Sequence, residues 1–279
     1  MVTTWGPRLP YLQTETEAMA KWIDVMSGGR FKIKVYAAGE LIPAMGVFDA
    51  VSTGTYQCYH GPAYFWAGKE PAFQWFACVP FGLNAQGMNA WMYWGGGLKL
   101  WEEVSANFNL VPRLAGNAGF QMAGWFNKKI ETIDDFKGLK MRIPGLGGKV
   151  VAKAGGTVTL TAPPEIFTNL ERGVIDAAEF VGPLLDKVLG LQKAAKYYYY
   201  PGWHEPGNTS ECGINKQAYE ALPKEFQALL DHACEALNSR MLVAFEASNA
   251  AALRELITKY KVKVLPLPDD VMAKLKVMA

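Results

Sequence analysis

Apolar letters keep helical spacing through Ala18, Met19, Trp22, Ile23 and Met26 and stop at Gly28-Gly29. Thr14 and Glu17 stand at capping-box spacing in front of them, so the pattern predicts a capped helix. Phe31, Ile33 and Val35 then alternate with Lys32 and Lys34, which predicts a half-exposed strand. A helix after Pro43, an apolar strand over 57–60 and a helix over 86–104 continue the series. From Gly116 a second series predicts strands over 120–126, 139–143, 158–161 and 174–180. Between them lie a helix over 147–154 and one opened by Pro163-Pro164 and closed by Gly173. Strands alternating with short helices imply an α/β fold with mixed, mostly parallel sheets covered on both faces.

One segment is out of scale with the rest. Residues 223–260 contain no glycine, and proline only at their first position, with apolar letters at helical spacing from Phe226 to Phe245. A continuous helix of that length would exceed about 50 Å and outrun one small domain, so it must either cross two lobes or break near Asn238-Ser239. The first option gives two lobes joined by the helix. They would be 1–116 with 206–240, and 117–205 with 241–279.

Composition narrows the function classes. At 279 residues, 50% hydrophobic and 19% charged, the chain can bury more than one core. A formal charge of +2 without a long basic run gives no nucleic-acid footprint, and no apolar run reaches the roughly 20 residues of a membrane span. Cys58, Cys78, Cys212 and Cys234 are far apart and form no C-x-x-C pair, so unpaired packing roles are expected. No charged-then-apolar leader precedes Val2-Thr3-Thr4-Trp5.

Candidate chemistry begins with an arginine. Arg142 sits among Leu139, Met141 and Ile143 in an otherwise apolar strand. A buried guanidinium keeps its charge and five donors, so it needs an anion, either internal or brought by a ligand. Other motifs fail. GLGGKV lacks Walker spacing, and HEPGN puts Asn208 where a zinc helix needs its second histidine. His60, His204 and His232 read as packing or surface residues. What remains are polar letters at strand ends: Gln121, Glu179 and Glu205, an oxygen set suited to a hard cation.

Three stretches together carry a resemblance: GFQMAGWFNKKIETIDDFKGLKMRIPG, PPEIFTNLERGVIDAAEFVGP and YYYYPGWHEPG. They resemble the solute-binding proteins of tripartite ATP-independent periplasmic (TRAP) transporters, over nearly the whole chain. The nearest likeness is the branch that binds 2-oxo and 2-hydroxy monocarboxylates such as pyruvate and lactate. The resemblance implies that Arg142 clamps the ligand carboxylate and has no internal partner. It also implies a sodium or calcium ion held by Gln121, Glu179, the Phe180 carbonyl and Glu205. Phe180 stands where tryptophan is common, and Phe120 where some lactate binders are polar, so both belong to the expected ligand wall. Tyr64 and Phe65 are candidates for the opposite wall.

The expected activity is therefore capture by hinge closure, with no catalysis. Expected partners are a small carboxylate and the TRAP membrane permease subunits, with no nucleic acid and no membrane insertion. The expected location is the periplasm, the export signal being absent from this chain. Helices that follow in the family can serve dimerisation, so a homodimer stands beside the monomer. The alternative is a metal-dependent lyase or aldolase acting on 2-oxo acids, for which no histidine or lysine at a strand end offers a general base.

Overall fold

The long apolar pattern becomes one helix, Lys224–Thr258, of 35 residues without a break at Asn238-Ser239. Weak helix formers there are overridden by burial of Leu237, Asn238 and Met241 on its inner face. The structure, a computed structural model describing residues 1–279, divides into two compact units that share this helix. The first comprises Met1–Ala77, Ala85–Ala118 and Thr209–Ala244; the second comprises Cys78–Asn84, Gly119–Asn208 and Phe245–Ala279. Residues 78–84 thus pack with the second unit, against the expected 1–116.

The first unit is built on a four-stranded sheet in the order Val2–Thr3, Cys58–Gly61, Asn208–Asn215, Leu110–Gly119. Val2–Thr3 pairs in parallel with Cys58–Gly61, which pairs antiparallel with Asn208–Asn215. The four cysteines of the chain are free and buried. His60 is buried between Trp5, whose Nε1 donates to its Nδ1 at 2.7 Å, and the Ala115 carbonyl, 2.9 Å from Nε2. Burial lowers this imidazole to about 4, so it stays neutral as a packing residue.

The second unit holds a six-stranded sheet in the order Lys263–Pro266, Tyr197–Tyr200, Gly124–Phe126, Ala177–Ala178, Lys140–Arg142, Thr157–Thr159. Gly124–Phe126 runs antiparallel to both neighbours, and the remaining pairs are parallel. Leu139, Met141 and Ile143 join Phe126, Phe136 and Val151 in the core on one face. Period-two alternation turns Arg142 to the other face, where it is also buried.

Several local expectations differ. The helix Thr14–Met26 forms, but the Thr14–Glu17 capping box does not: Gln13 is the cap residue and its side chain donates to Glu17 at 2.8 Å. The 31–35 alternation yields no strand, only an extended run with one bridge at Tyr36 to Val2. The helix over 86–104 is two, Ala85–Trp94 and Gly97–Ala106, divided where Gly96 takes φ +87°. The strand over 120–126 is only Gly124–Phe126, and Leu110–Gly119 is a strand that the pattern did not suggest.

One buried carboxylate supports the first unit. Glu211 Oε1 accepts from Tyr59 Oη at 2.6 Å and Trp66 Nε1 at 2.8 Å, yet burial pushes its carboxyl up to about 7. A carboxyl raised in the folded state favours folding fully below its ordinary range and withdraws that support as pH rises to the folded value. The sign is thus lower stability at high pH, by about 3 kcal/mol between pH 4.5 and 7 for this group. Glu211→Gln should flatten this slope, so that its melting temperature gains on the parent's as pH rises from about 4 to about 8. Parallel curves would show that Glu211 does not titrate in that interval.

Candidate functional site

The parallel ladder brings two opposite charges together. Arg142 pairs with Ala178, and the next amide, Glu179 N, donates to Arg142 O at 3.1 Å. Glu179 therefore emerges from its strand end beside the guanidinium. Arg142 Nη1 donates to Glu179 Oε1 in a short contact and to the Glu179 carbonyl at 2.7 Å. The expectation that Arg142 has no internal partner is wrong: Glu179 is that partner. Sequence separation hid it, because 37 residues lie between the two and only the register joins them. Arg142 Nε still has no acceptor.

Around this pair the backbone gathers the other expected ligands. Gln121 N donates to Glu205 O at 3.3 Å, and Gly202 N donates to Gln121 O at 2.9 Å. Met122 N donates to Val181 O at 3.3 Å, joining the Gln121 segment to the one that carries Glu179 and Phe180. Gln121, Glu179, Phe180 and Glu205 are all buried. Both amide atoms of Gln121 and both carboxylate oxygens of Glu205 lack a hydrogen-bond partner. Buried polar atoms left this way are costly and call for a bound group. Phe120 is half exposed and borders a cleft of about 520 Å³ with Met122, Tyr200, Leu253 and Val264. Tyr64 and Phe65 lie in the first unit, their rings edge to face at 5.2 Å.

Two residues escaped the sequence reading. His204, set aside as a packing or surface histidine, is fully buried, with Nε2 3.1 Å from Glu179 Oε2. Ligand atoms of Glu179, His204 and Glu205 lie within 4.8 Å of one another. Its adjacency to Glu205 in HEPGN was the available signal. Asp186 lies behind the site: Oδ1 accepts from Val181 N at 3.2 Å, and Oδ2 from Trp125 Nε1 at 3.0 Å and Tyr198 Oη at 2.7 Å. A single acid in the short helix Pro183–Leu189 gave no sequence signal.

The electrostatics fit a cation. Burial, and then the charge of Glu179, pushes the Glu205 carboxyl well above the usual range, with Arg142 opposing. Burial and the carboxylates of Glu205 and Glu179 also raise the Cys78 thiol. A donor set dominated by oxygen, with two carboxylates against one guanidinium, suits sodium or calcium better than a soft metal.

The whole chain, residues 1–279, matches the family model described as bacterial extracellular solute-binding protein, family 7. The chain belongs to that family. It is 46% identical over 273 residues to a monocarboxylate 2-oxoacid-binding periplasmic protein of Nostoc sp., covering 98% of this chain and 74% of the relative. A TRAP periplasmic solute-binding protein of Pseudoalteromonas atlantica, solved with bound sodium and pyruvate, superposes with TM-score 0.97 at 40% identity, covering 99% of this chain and 84% of that one. One from Bordetella bronchiseptica, a mixed-occupancy dimer with copurified calcium and picolinate, gives TM-score 0.97 at 39% identity over 100% of this chain and 82% of that one. Family 7 proteins bind solutes and are not enzymes, so the lyase or aldolase alternative has no support. No helix of this family 7 chain is long and apolar enough to cross a membrane.

Gly202 tests the backbone that gathers the site. A Cβ there would stand 2.2 Å from the Gln121 carbonyl oxygen, a backbone atom that cannot step aside without its segment. Gly202→Ala should cost about 1–3 kcal/mol in thermal or denaturant unfolding. Unchanged stability would mean that the Gln121 and Gly202 backbones can part without loss to the fold.

Proposed function

We propose that this family 7 protein captures a small 2-oxo or 2-hydroxy monocarboxylate, pyruvate- or lactate-like, together with a sodium or calcium ion. The observation that carries this is the buried cluster in which Arg142, Glu179 and Glu205 converge while Glu205 and Gln121 keep unpartnered polar atoms. A planar guanidinium is suited to a carboxylate, which it can hold with two parallel bonds. Glu179, Glu205, the Gln121 side-chain oxygen and the Phe180 carbonyl would hold the cation. A cation bound there supplies positive charge to the ligand's carboxylate and to an oxygen on carbon 2, which favours 2-oxo and 2-hydroxy acids over simple fatty acids. Relatives described with pyruvate and sodium, and with picolinate and calcium, support this pairing of a carboxylate with a cation.

The fixed parts of the site serve orientation. Arg142 stays tethered through Nη1 to the Glu179 carbonyl. Asp186 holds Val181, and with it the peptide that follows Phe180. The place of action is the periplasm, with TRAP permease subunits as the membrane partners; the dimer described for the Bordetella bronchiseptica protein is the assembly against which to compare its state in solution.

Calorimetry with pyruvate and calcium chloride tests the assignment. Arg142→Lys should weaken pyruvate binding by roughly tenfold to a hundredfold, because one ammonium cannot replace the fork. Glu205→Gln should lower calcium and pyruvate affinity together. Unchanged pyruvate affinity in both folded variants would remove this cluster from ligand binding.

A further inference from the structure

We infer that Glu179 makes carboxylate binding conditional on the cation: it occupies Arg142 until its own carboxylate is taken up by a cation. This rests on the proposed function and assigns Glu179 a second role, as an internal competitor for the guanidinium. Arg142 and Glu179 are almost wholly buried, at 1% and 0% side-chain exposure, so the pair is hardly screened by solvent. Nη1 is already bonded to a side-chain oxygen and a carbonyl of Glu179. The other Glu179 oxygen faces His204 Nε2 at 3.1 Å. Since an ionised carboxylate only accepts, Nε2 carries the proton and donates to it. Glu179 is thus held from two sides, and it occupies the Nη1 corner of the Arg142 fork and neutralises the guanidinium, while Nε has no acceptor.

Charge points the same way. One guanidinium faces two carboxyl groups, Glu179 and Glu205, whose ligand atoms lie within 4.8 Å of each other and of His204. A ligand carboxylate entering that cluster would meet an arginine already neutralised, and a second acid beside it. When Glu179 and Glu205 share a cation, their charge is spent on it. Glu179 then holds Arg142 less strongly, while the carbonyl bond to Nη1 keeps the guanidinium oriented. The guanidinium becomes available where the ligand carboxylate needs it. Because Glu179 serves both partners, cation and carboxylate affinities must rise together and by the same factor.

The test compares the parent protein with Glu179→Gln, using pyruvate and calcium as probes and tryptophan fluorescence and calorimetry as readouts. Calcium should raise the parent's pyruvate affinity at least about tenfold over chelated buffer, and pyruvate should raise calcium affinity by the same factor. In Glu179→Gln the neutral amide no longer holds Arg142. Calcium should bind more weakly, the effect of calcium on pyruvate should fall to within about threefold, and pyruvate in chelator should bind more tightly than to the parent. If the variant does not fold, by its circular dichroism, order of mixing on the parent decides: calcium first should speed pyruvate association at least about tenfold relative to chelated protein. Parent binding pyruvate equally with and without calcium would overturn the inference, as would a folded variant no better than the parent in chelator. Parent that binds no pyruvate under any condition would instead overturn the proposed function.

Discussion

A guanidinium buried to 1% exposure dictates how the second unit is built. An unpaired charge in that setting would cost several kcal/mol, so the fold must deliver a carboxylate to it, and removal of either partner from such a pair typically costs about 3–5 kcal/mol. Delivery is done by the sheet: Arg142 pairs with Ala178 in parallel, and the residue after Ala178 is Glu179. A one-residue slip would turn Arg142 toward Leu139, Met141 and Phe126 in the core and move its partner away. The register is thereby fixed twice, once by the apolar face and once by the ion pair. A buried ion pair is a poor device for stability alone, since apolar residues of similar size often do as well. Its presence makes sense where the charges have other work.

The remaining site residues are positioned mainly by backbone. The Gln121, Glu179–Val181 and Gly202–Glu205 segments exchange amide–carbonyl bonds with one another and with Arg142. Asp186 adds a side-chain clamp, tying Val181 to Trp125 and Tyr198, whose rings stack at 4.1 Å. Such a frame holds the oxygens of the cluster in place, because it is ordered by its own bonds. What the frame does not satisfy, the Glu205 oxygens, the Gln121 amide and Arg142 Nε, is collected in one buried region.

Features with a strong local cause were legible in the sequence. The uninterrupted helix Lys224–Thr258 follows from apolar spacing without glycine, and the Arg142 strand from its apolar flanks. Gln121, Glu179 and Glu205 stand out in the sequence as polar letters at strand ends, and all three are buried. Local cues that compete with tertiary context misled: Gly96 splits what periodicity read as one helix, and Lys32 and Lys34 alternate in a run that finds no sheet partner beyond one bridge. Leu110–Gly119 was missed because Pro112, Arg113, Gly116 and Asn117 dilute its strand pattern, while burial in the sheet supplies the stabilisation. The partner of Arg142 is set by strand register, and the place of His204 and the contacts of Asp186 with Trp125 and Tyr198 by packing between segments apart in sequence. The family resemblance named the ligand roles of Arg142 and Glu179, but not that the two hold each other.

The most direct measurement is a crystal structure of the protein with calcium and pyruvate, the cation identified by anomalous scattering. The account predicts a cation touched by Glu179 and Glu205, with the Arg142 fork on the pyruvate carboxylate in place of Glu179 Oε1. Pyruvate bound elsewhere, or Arg142 still locked to Glu179 with no cation between the two glutamates, would contradict it.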